Sequence, residues 1–418
     1  MSVGAVKVIR RSLASNLLAQ NTLWMFLGQL GRVGVQAAYY VVIARALGPA
    51  GYGAFIGVVA LARILAPFAS WGSGNLLVQA VARRPELFPV YWGRALLVTV
   101  VSGALLITLA SVVAHLFLGD ALPLLLILTV SASDILFARL VDVSGQAFQA
   151  FQRLAETAKL QTLPSLLRLI GAVALGLFSD SATPVQWGGI YLASTAVCAT
   201  IAIAWVHSRL GGATFAFGHL VHELRDGFYF SISLASQSIY NDIDKAMLTK
   251  LATLEAAGIY AASYRMIDVS FTPVRSILYA AYARFFQGGA AGILGSLAVA
   301  VRLLPLASIF GGVSAAILFV AAPMVSLVLG GAYYNAVDAI RWLSLIPLLR
   351  CVHYFAADTL TGAGYQGVRS MAQVAIGAVN VVLNMLLIPT YSWKGAALAS
   401  LASDGLLAIA LWAGVWWI

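Results

Sequence analysis

Charged side chains are scarce in this chain. Asp, Glu, Lys and Arg make up 10% of its 418 residues, where a soluble domain carries about 25%. A soluble fold cannot hide the apolar surface that this implies, because its surface grows with its mass, so the shortage excludes that class. Cysteine is rarer still. The two, Cys198 and Cys351, lie inside apolar runs, which excludes a disulfide framework and leaves them as small packing residues. Histidine is thin and scattered, at His115, His207, His219, His222 and His353. There is no HExxH, no Walker loop, no metal-ligand cluster and no nucleophile elbow. The sequence therefore offers no metal site, no cofactor site and no catalytic constellation, and it reads as a non-enzyme.

What fills the space is apolar. Hydrophobic residues make up 61% of the chain, and the mean hydropathy is +0.92. A spanning helix needs about 20 mostly apolar residues. Twelve segments qualify: 22–46, 53–81, 94–118, 121–148, 160–178, 186–207, 227–251, 258–283, 298–329, 336–361, 371–390 and 395–417. The expected fold is an all-α polytopic membrane protein. The longest polar connection, about 208–226, divides it into an N-terminal six-helix bundle (1–210) and a C-terminal one (211–418). A faint repeat links the halves: Leu47-Gly48-Pro49-Ala50-Gly51 before the second segment, Leu254-Glu255-Ala256-Ala257-Gly258 before the eighth. Six helices per half preserve orientation, so the pseudo-two-fold axis would run along the membrane normal.

The net charge of +10 is spread between and within apolar runs, which excludes nucleic acid as a partner. It does orient the chain. With the N-terminus in the cytoplasm, that side receives Lys7, Arg10, Arg11, Arg83, Arg84, Arg94, Arg153, Lys159, Arg209, Arg225, Arg284, Arg302 and Arg369. The other side receives Arg45, Lys250 and Lys394. The positive-inside rule then predicts both termini in the cytoplasm.

Nine basic residues remain inside segments: Arg32, Arg63, Arg139, Arg168, Lys245, Arg265, Arg275, Arg341 and Arg350. Each costs at least about 2.5–3.5 kcal/mol if it faces lipid, so they face a water-filled interior, pair with acids, or snorkel. Arg139 with Asp142, Arg265 with Asp268, and Arg341 with Asp338 share a helix face at i,i+3. Arg32, Arg63 and Arg168 have no acid within four positions. Gln29, Arg32 and Gln36 form one polar stripe, and Arg265, Asp268, Thr272 and Arg275 another. Cationic faces converging on one cavity suit an anion, since the planar fork of Arg matches phosphate. The competing expectation is that Arg32 or Arg63 pairs with an acid on another helix, such as Asp134 or Asp404. Asp134, Asp242, Asp244, Asp268 and Asp404 lie inside segments and are candidates for binding a coupling H⁺ or Na⁺. His353 and the Asn380–Asn384 pair read as packing and helix-to-helix hydrogen bonding.

The stretch Asn21-Thr22-Leu23-Trp24, followed by Ala44-Arg45-Ala46-Leu47-Gly48-Pro49-Ala50-Gly51-Tyr52-Gly53, resembles the start of the oligosaccharide flippases. These belong to the superfamily of multidrug, oligosaccharidyl-lipid and polysaccharide exporters. Asp242-Ile243-Asp244-Lys245-Ala246-Met247-Leu248, Ala257-Gly258-Ile259-Tyr260 and Tyr264-Arg265 resemble the family's seventh and eighth helices. The resemblance implies two six-helix bundles working by alternating access around a cationic cavity. That cavity would hold the pyrophosphate of an undecaprenyl-linked repeat unit, with Arg32, Arg63 and Arg265 on the helices that carry important arginines in lipid II flippases. It also implies the bacterial cytoplasmic membrane, with O-antigen or exopolysaccharide glycosyltransferases and a polymerase as neighbours. A multidrug or small-molecule cation antiporter on the same fold is the alternative. A membrane polymerase or ligase is a weaker one, because every outer loop is short.

Overall fold

The computed structural model describes the backbone of residues 3–118, 122–179, 181–215 and 220–418. Side chains are described except at 1–32, 115, 117–121, 154, 180, 216–227, 229–230, 232–234, 236–237, 279–280 and 283. Within these limits the chain is helical throughout, with no strand.

The first helical stretch, α1 (Val3–Ala69), holds the first expected segment and most of the second, and it breaks at Gly48 (φ 65°, ψ 176°). Only glycine reaches that conformation cheaply, and Pro49 then starts the next arm with no N–H to satisfy. A second break follows, where Trp71 and Gly72 are both left-handed, before α2 (Ser73–Arg83). Next come α3 (Phe88–Leu118) and a rod made of α4 (Leu124–Ser131), a π-helical turn (Ala132–Phe137) and α5 (Ala138–Ala150). The half closes with α6 (Leu154–Phe178) and α7 (Pro184–Leu210). Thr183 and Gln186 form a capping box at the start of α7.

The second half begins with α8 (Leu220–Leu251) and α9 (Leu254–Ser270). Phe271 breaks the path and Pro273 opens α10 (Thr272–Gly289). Then follow α11 (Ile293–Ala321), α12 (Met324–Leu329), α13 (Ala336–Leu343), α14 (Ile346–Gly362), α15 (Gln366–Tyr391) and α16 (Trp393–Trp417).

Among the described residues, eight segments are long and apolar enough to cross a membrane: Val33–Ala69, Pro85–Ala114, Leu124–Ala150, Ala155–Phe178, Pro184–Leu210, Ile293–Ala321, Gln366–Tyr391 and Trp393–Trp417. The protein is a polytopic helical membrane protein. The expected segments 227–251, 258–283 and 336–361 coincide with helices that are polar or interrupted. Asp242, Asp244 and Lys245 sit on α8, Phe271 separates α9 from α10, and Ser344–Leu345 separates α13 from α14.

The solvent-facing pattern is that of a protein in lipid. On α11 the buried residues are Ser296, Ala300, Ala307 and Gly311, a stripe of small side chains that lets α14 approach closely. The rest of the helix turns large apolar groups outward, with Val320 77% exposed. Polar and charged groups collect inside instead.

The halves are sealed together at one end. A Cβ placed on Gly53 falls 1.8 Å from the Leu254 carbonyl oxygen, and one placed on Gly258 falls 1.9 Å from that of Pro49. The α1 and α9 backbones therefore touch where no side chain fits. Around this contact Tyr40 Oη donates to the Ala262 carbonyl at 3.1 Å and Tyr333 Oη to the Ala44 carbonyl at 3.0 Å, and Arg45 reaches the Leu327 carbonyl. One apolar core cluster, including Phe55, Tyr52, Ile259 and Ile340, spans both halves beneath it.

Candidate functional site

Beside the seal lies a cavity of about 830 Å³, with Tyr40, bonded to Ala262 across the halves, on its wall. Its wall is built from α1, α8, α9, α10, α12, α14 and the start of α15. Six basic side chains line it: Arg63, Lys245, Arg265, Arg275, Arg350 and Arg369. Three acids do so, Asp242, Asp268 and Asp358. Tyr264, Tyr282 and Tyr354 supply aromatic faces with polar tips. This much charge is tolerable within an apolar bundle only around water, acids or a ligand.

Asp242 is shared across the halves. Its Oδ1 lies 2.9 Å from Lys245 Nζ on its own helix and 3.9 Å from Arg63 Nη1 on α1. Arg63 keeps its side chain 45% exposed, whereas that of Asp242 is 14% exposed, so the guanidinium still faces the cavity. Arg63 thus meets the competing expectation of an acid on another helix, but the acid is Asp242 and not Asp134 or Asp404. Asp244 turns away from the cavity, accepts from Tyr260 Oη at 2.5 Å, and lies 3.7 Å from Lys245 Nζ.

A second network lies in the C-terminal half. Arg350 on α14 binds Asp268 at 2.9 Å and Tyr264 Oη at 3.2 Å, with Asp404 on α16 at 3.9 Å. The expected Arg265–Asp268 pair does not form, because Arg350 approaches Asp268 from the neighbouring helix and takes its carboxylate. Arg265 and Arg275 line the cavity without an ion-pair partner among the described residues. The Arg275 guanidinium lies over the Phe271 ring at 5.7 Å. Asp404 is buried, accepts from Tyr240 Oη, and lies 3.4 Å from His353 Nε2. His353 also stacks on Tyr354, so packing accounts for only part of its setting.

The N-terminal half holds a third network, behind Tyr191, which lines a smaller pocket that shares Arg63, Asp242, Lys245 and Arg265 with the large cavity. Asp134 occupies the π-helical turn and accepts from Tyr191 Oη at 2.8 Å. Arg168 lies 3.7 Å from Asp134, donates to Thr195 Oγ1 at 3.0 Å, and stacks over the Tyr191 ring at 3.8 Å. Arg168, with no acid within four positions on its own helix, finds one on another. Gln36 lines the cavity and donates to Ser165 Oγ at 3.3 Å. The side chains of Gln29 and Arg32 lie outside the described residues. Arg139–Asp142 and Arg341–Asp338 pair within their helices, at 2.5 and 3.8 Å. Asn384 donates to Asn380, which donates to Ser403 on α16.

Sequence reasoning missed two cavity residues. Arg369, read as part of a loop, lies on α15 and binds Asp358 at 3.3 Å and Thr361 Oγ1 at 2.8 Å. Asp358 follows Arg350 by eight residues, about two helical turns, which was the available signal.

Three comparisons place this geometry among known proteins. The family model described as polysaccharide biosynthesis protein matches residues 18–287. The putative O-antigen transporter of Escherichia coli strain K12 is 23% identical over 258 residues, which is 60% of this chain and 62% of that protein. An inward-facing multidrug resistance transporter of the MATE family and MOP superfamily superposes with a TM-score of 0.74 at 16% identity, over 92% of this chain and 93% of that one. The lipid II flippase MurJ, in an inward closed conformation, does so at 0.72 and 13% identity, over 94% and 87%. The backbone fold is the one these transporters share.

Proposed function

Because the chain belongs to the polysaccharide biosynthesis protein family, we propose that it is a membrane flippase. It moves undecaprenyl-pyrophosphate-linked oligosaccharide repeat units from the cytoplasmic to the periplasmic leaflet of a bacterial inner membrane. It makes and breaks no bond. The observation that carries the reading is the excess of six basic over three acidic side chains around one intramembrane cavity. Arg63, Arg265 and Arg275, with Arg32, bind the diphosphate, while Gln29 and Gln36 contact the polar part of the substrate and Arg168 braces the N-terminal wall. Each charge-assisted hydrogen bond contributes about 1.5–3 kcal/mol.

The two six-helix bundles, 1–210 and 211–418, rock against each other with both termini in the cytoplasm. The Gly53–Gly258 seal lies on the periplasmic side and the cavity opens toward the cytoplasm. An arriving diphosphate competes with Asp242 for Arg63 and so loosens one tie between the halves. Only such a differential contact shifts a two-state equilibrium. Asp134, Asp242, Asp244, Asp268 and Asp404 are the sites at which H⁺ or Na⁺ drives the return. Glycosyltransferases supply the substrate and a polymerase consumes the product.

The fold likeness to a multidrug transporter raises a small-molecule cation antiporter as a second reading. A wall with excess positive charge opposes an organic cation, so the anion reading is preferred. Arg63→Ala, Arg265→Ala and Arg32→Ala are expected to abolish glycan export at near-normal protein level, with lysine rescuing partly. Normal export by a well-expressed Arg63→Ala, Arg265→Ala double variant would overturn the reading.

A further inference from the structure

A second cavity, of about 210 Å³, lies wholly within the N-terminal half, where the α1–α2 break meets α5 and α6. Its chemistry differs from that of the large cavity. Four amides wall it, Asn75, Gln146, Gln149 and Gln161, together with one Arg–Asp pair, Arg139 with Asp142. Its formal charge is balanced and it presents no aromatic ring among the described residues.

The site is held in shape. Gln146 Nε2 donates to Asn75 Oδ1 at 3.0 Å, tying α5 to α2. A Cβ on Gly74 would lie 1.7 Å from Gln146 Oε1, so the glycine is what admits the amide. That bond leaves the Gln146 carbonyl and the Asn75 amide nitrogen as further hydrogen-bonding groups. Arg139 Nε is buried without a hydrogen-bond partner. Helix-to-helix bonding accounts for the Asn75–Gln146 contact. It does not account for the Arg139–Asp142 pair, which faces the same space from α5, while Gln149 and Gln161 stand exposed at its rim.

Sugar hydroxyls both donate and accept, and an amide offers both roles in one plane. Arginine beside aspartate does the same for neighbouring hydroxyls of a ring. A phosphate fits poorly, since Asp142 repels it and already engages the arginine. The position also fits. Pro67, on the wall of this cavity, is four residues from Arg63 on the same helix, a rise of about 6 Å. A sugar bonded to a diphosphate at Arg63 is within reach of it.

We propose that this cavity is a glycan subsite that takes one neutral monosaccharide unit while the diphosphate sits at Arg63 and Arg265. The inference rests on the flippase reading above. The test uses the full chain in lipid nanodiscs and two kinds of probe with equal charge. One is farnesyl diphosphate capped with a methyl group. The other is farnesyl diphosphate capped with N-acetylglucosamine, galactose or glucose. Two or three sugar hydrogen bonds predict about tenfold tighter binding of at least one sugar-capped probe. Asn75→Leu and Gln146→Leu should each erase most of that preference and leave methyl-capped binding unchanged, which also shows that the variants fold. Equal binding of all probes by the wild type, or a preference that survives both substitutions, overturns the subsite. If no diphosphate binds, or Arg63→Ala leaves methyl-capped binding unchanged, the anion site falls and the subsite with it.

Discussion

Replacing Gly53 with alanine adds a single methyl group at the point where the halves meet. That methyl would sit 1.8 Å from the Leu254 carbonyl oxygen and 2.7 Å from the Gly258 nitrogen. Real Cβ atoms essentially never approach closer than 3.0 Å, so α1 and α9 must part there by at least 1.2 Å. Both atoms belong to backbone, and no side chain can rotate to make room. Overpacking of this kind costs about 1–3 kcal/mol. The cost falls on the sealed state and not on a state in which the halves have separated. The ratio of open to sealed molecules should therefore rise about 5-fold to 150-fold. Ala44, buried at the seal with 0% exposure, provides the reporter. With Cys198 and Cys351 replaced by alanine, Ala44→Cys should react slowly with an impermeant maleimide added outside cells, and at least fivefold faster once Gly53→Ala is present. Gly258→Ala should act alike, because the contact is reciprocal. Unchanged labelling in a variant at normal membrane level would refute the seal as a moving contact.

Topology is checked by single cysteines: Ala50→Cys and Asn335→Cys should label in intact cells, Glu86→Cys and Glu156→Cys only after permeabilisation. Labelling of Glu86→Cys from outside would reverse the orientation. Asp242→Asn leaves Lys245 without its nearest acid, and losing one member of a buried pair costs about 3–5 kcal/mol. The variant should be less abundant, and adding Lys245→Met should restore it; no recovery means the pair is not structural. In proteoliposomes, export should collapse when H⁺ and Na⁺ gradients and the membrane potential are removed, and persistence would exclude the aspartates as coupling sites.

The apolar segments were legible because lipid imposes a length and a composition that no other environment does. The Gly48-Pro49 break was also written in the chain, as a residue free to adopt positive φ followed by one lacking an N–H. The break at Trp71 was not, since tryptophan has no preference for the left-handed region. The π-helical turn at Asp134 was invisible for another reason: widening one turn leaves the apolar pattern nearly intact. At the site, most of the intramembrane charges were legible, Arg369 and Asp358 were not, and partners on other helices were hidden. Local spacing predicted Arg265 with Asp268, and it could say nothing of Arg350, which comes from a helix packed alongside. Arg63 and Arg168 showed no acid on their own helices, and spacing could not say which other helix carried one. Buried charge announces itself in sequence, but which charges meet depends on how distant helices pack.

Among the described residues, the hydrogen bonds across the seal end on main-chain oxygens: Ala262, Ala44 and Leu327. The first two lie within α9 and α1, where each carbonyl can also serve its own helix through a second lone pair. Parting the halves therefore strips no helix of its internal bonding. The donors, two tyrosine hydroxyls and a guanidinium, are left where entering water can solvate them at once. The closure is thus shallow in hydrogen-bond energy, and its resistance to opening comes from the apolar cluster beneath. It is also indifferent to side-chain identity on the accepting side. Positions 44, 262 and 327 are free, as acceptors, to drift among residues of similar size, while Tyr40, Tyr333 and Arg45 are not.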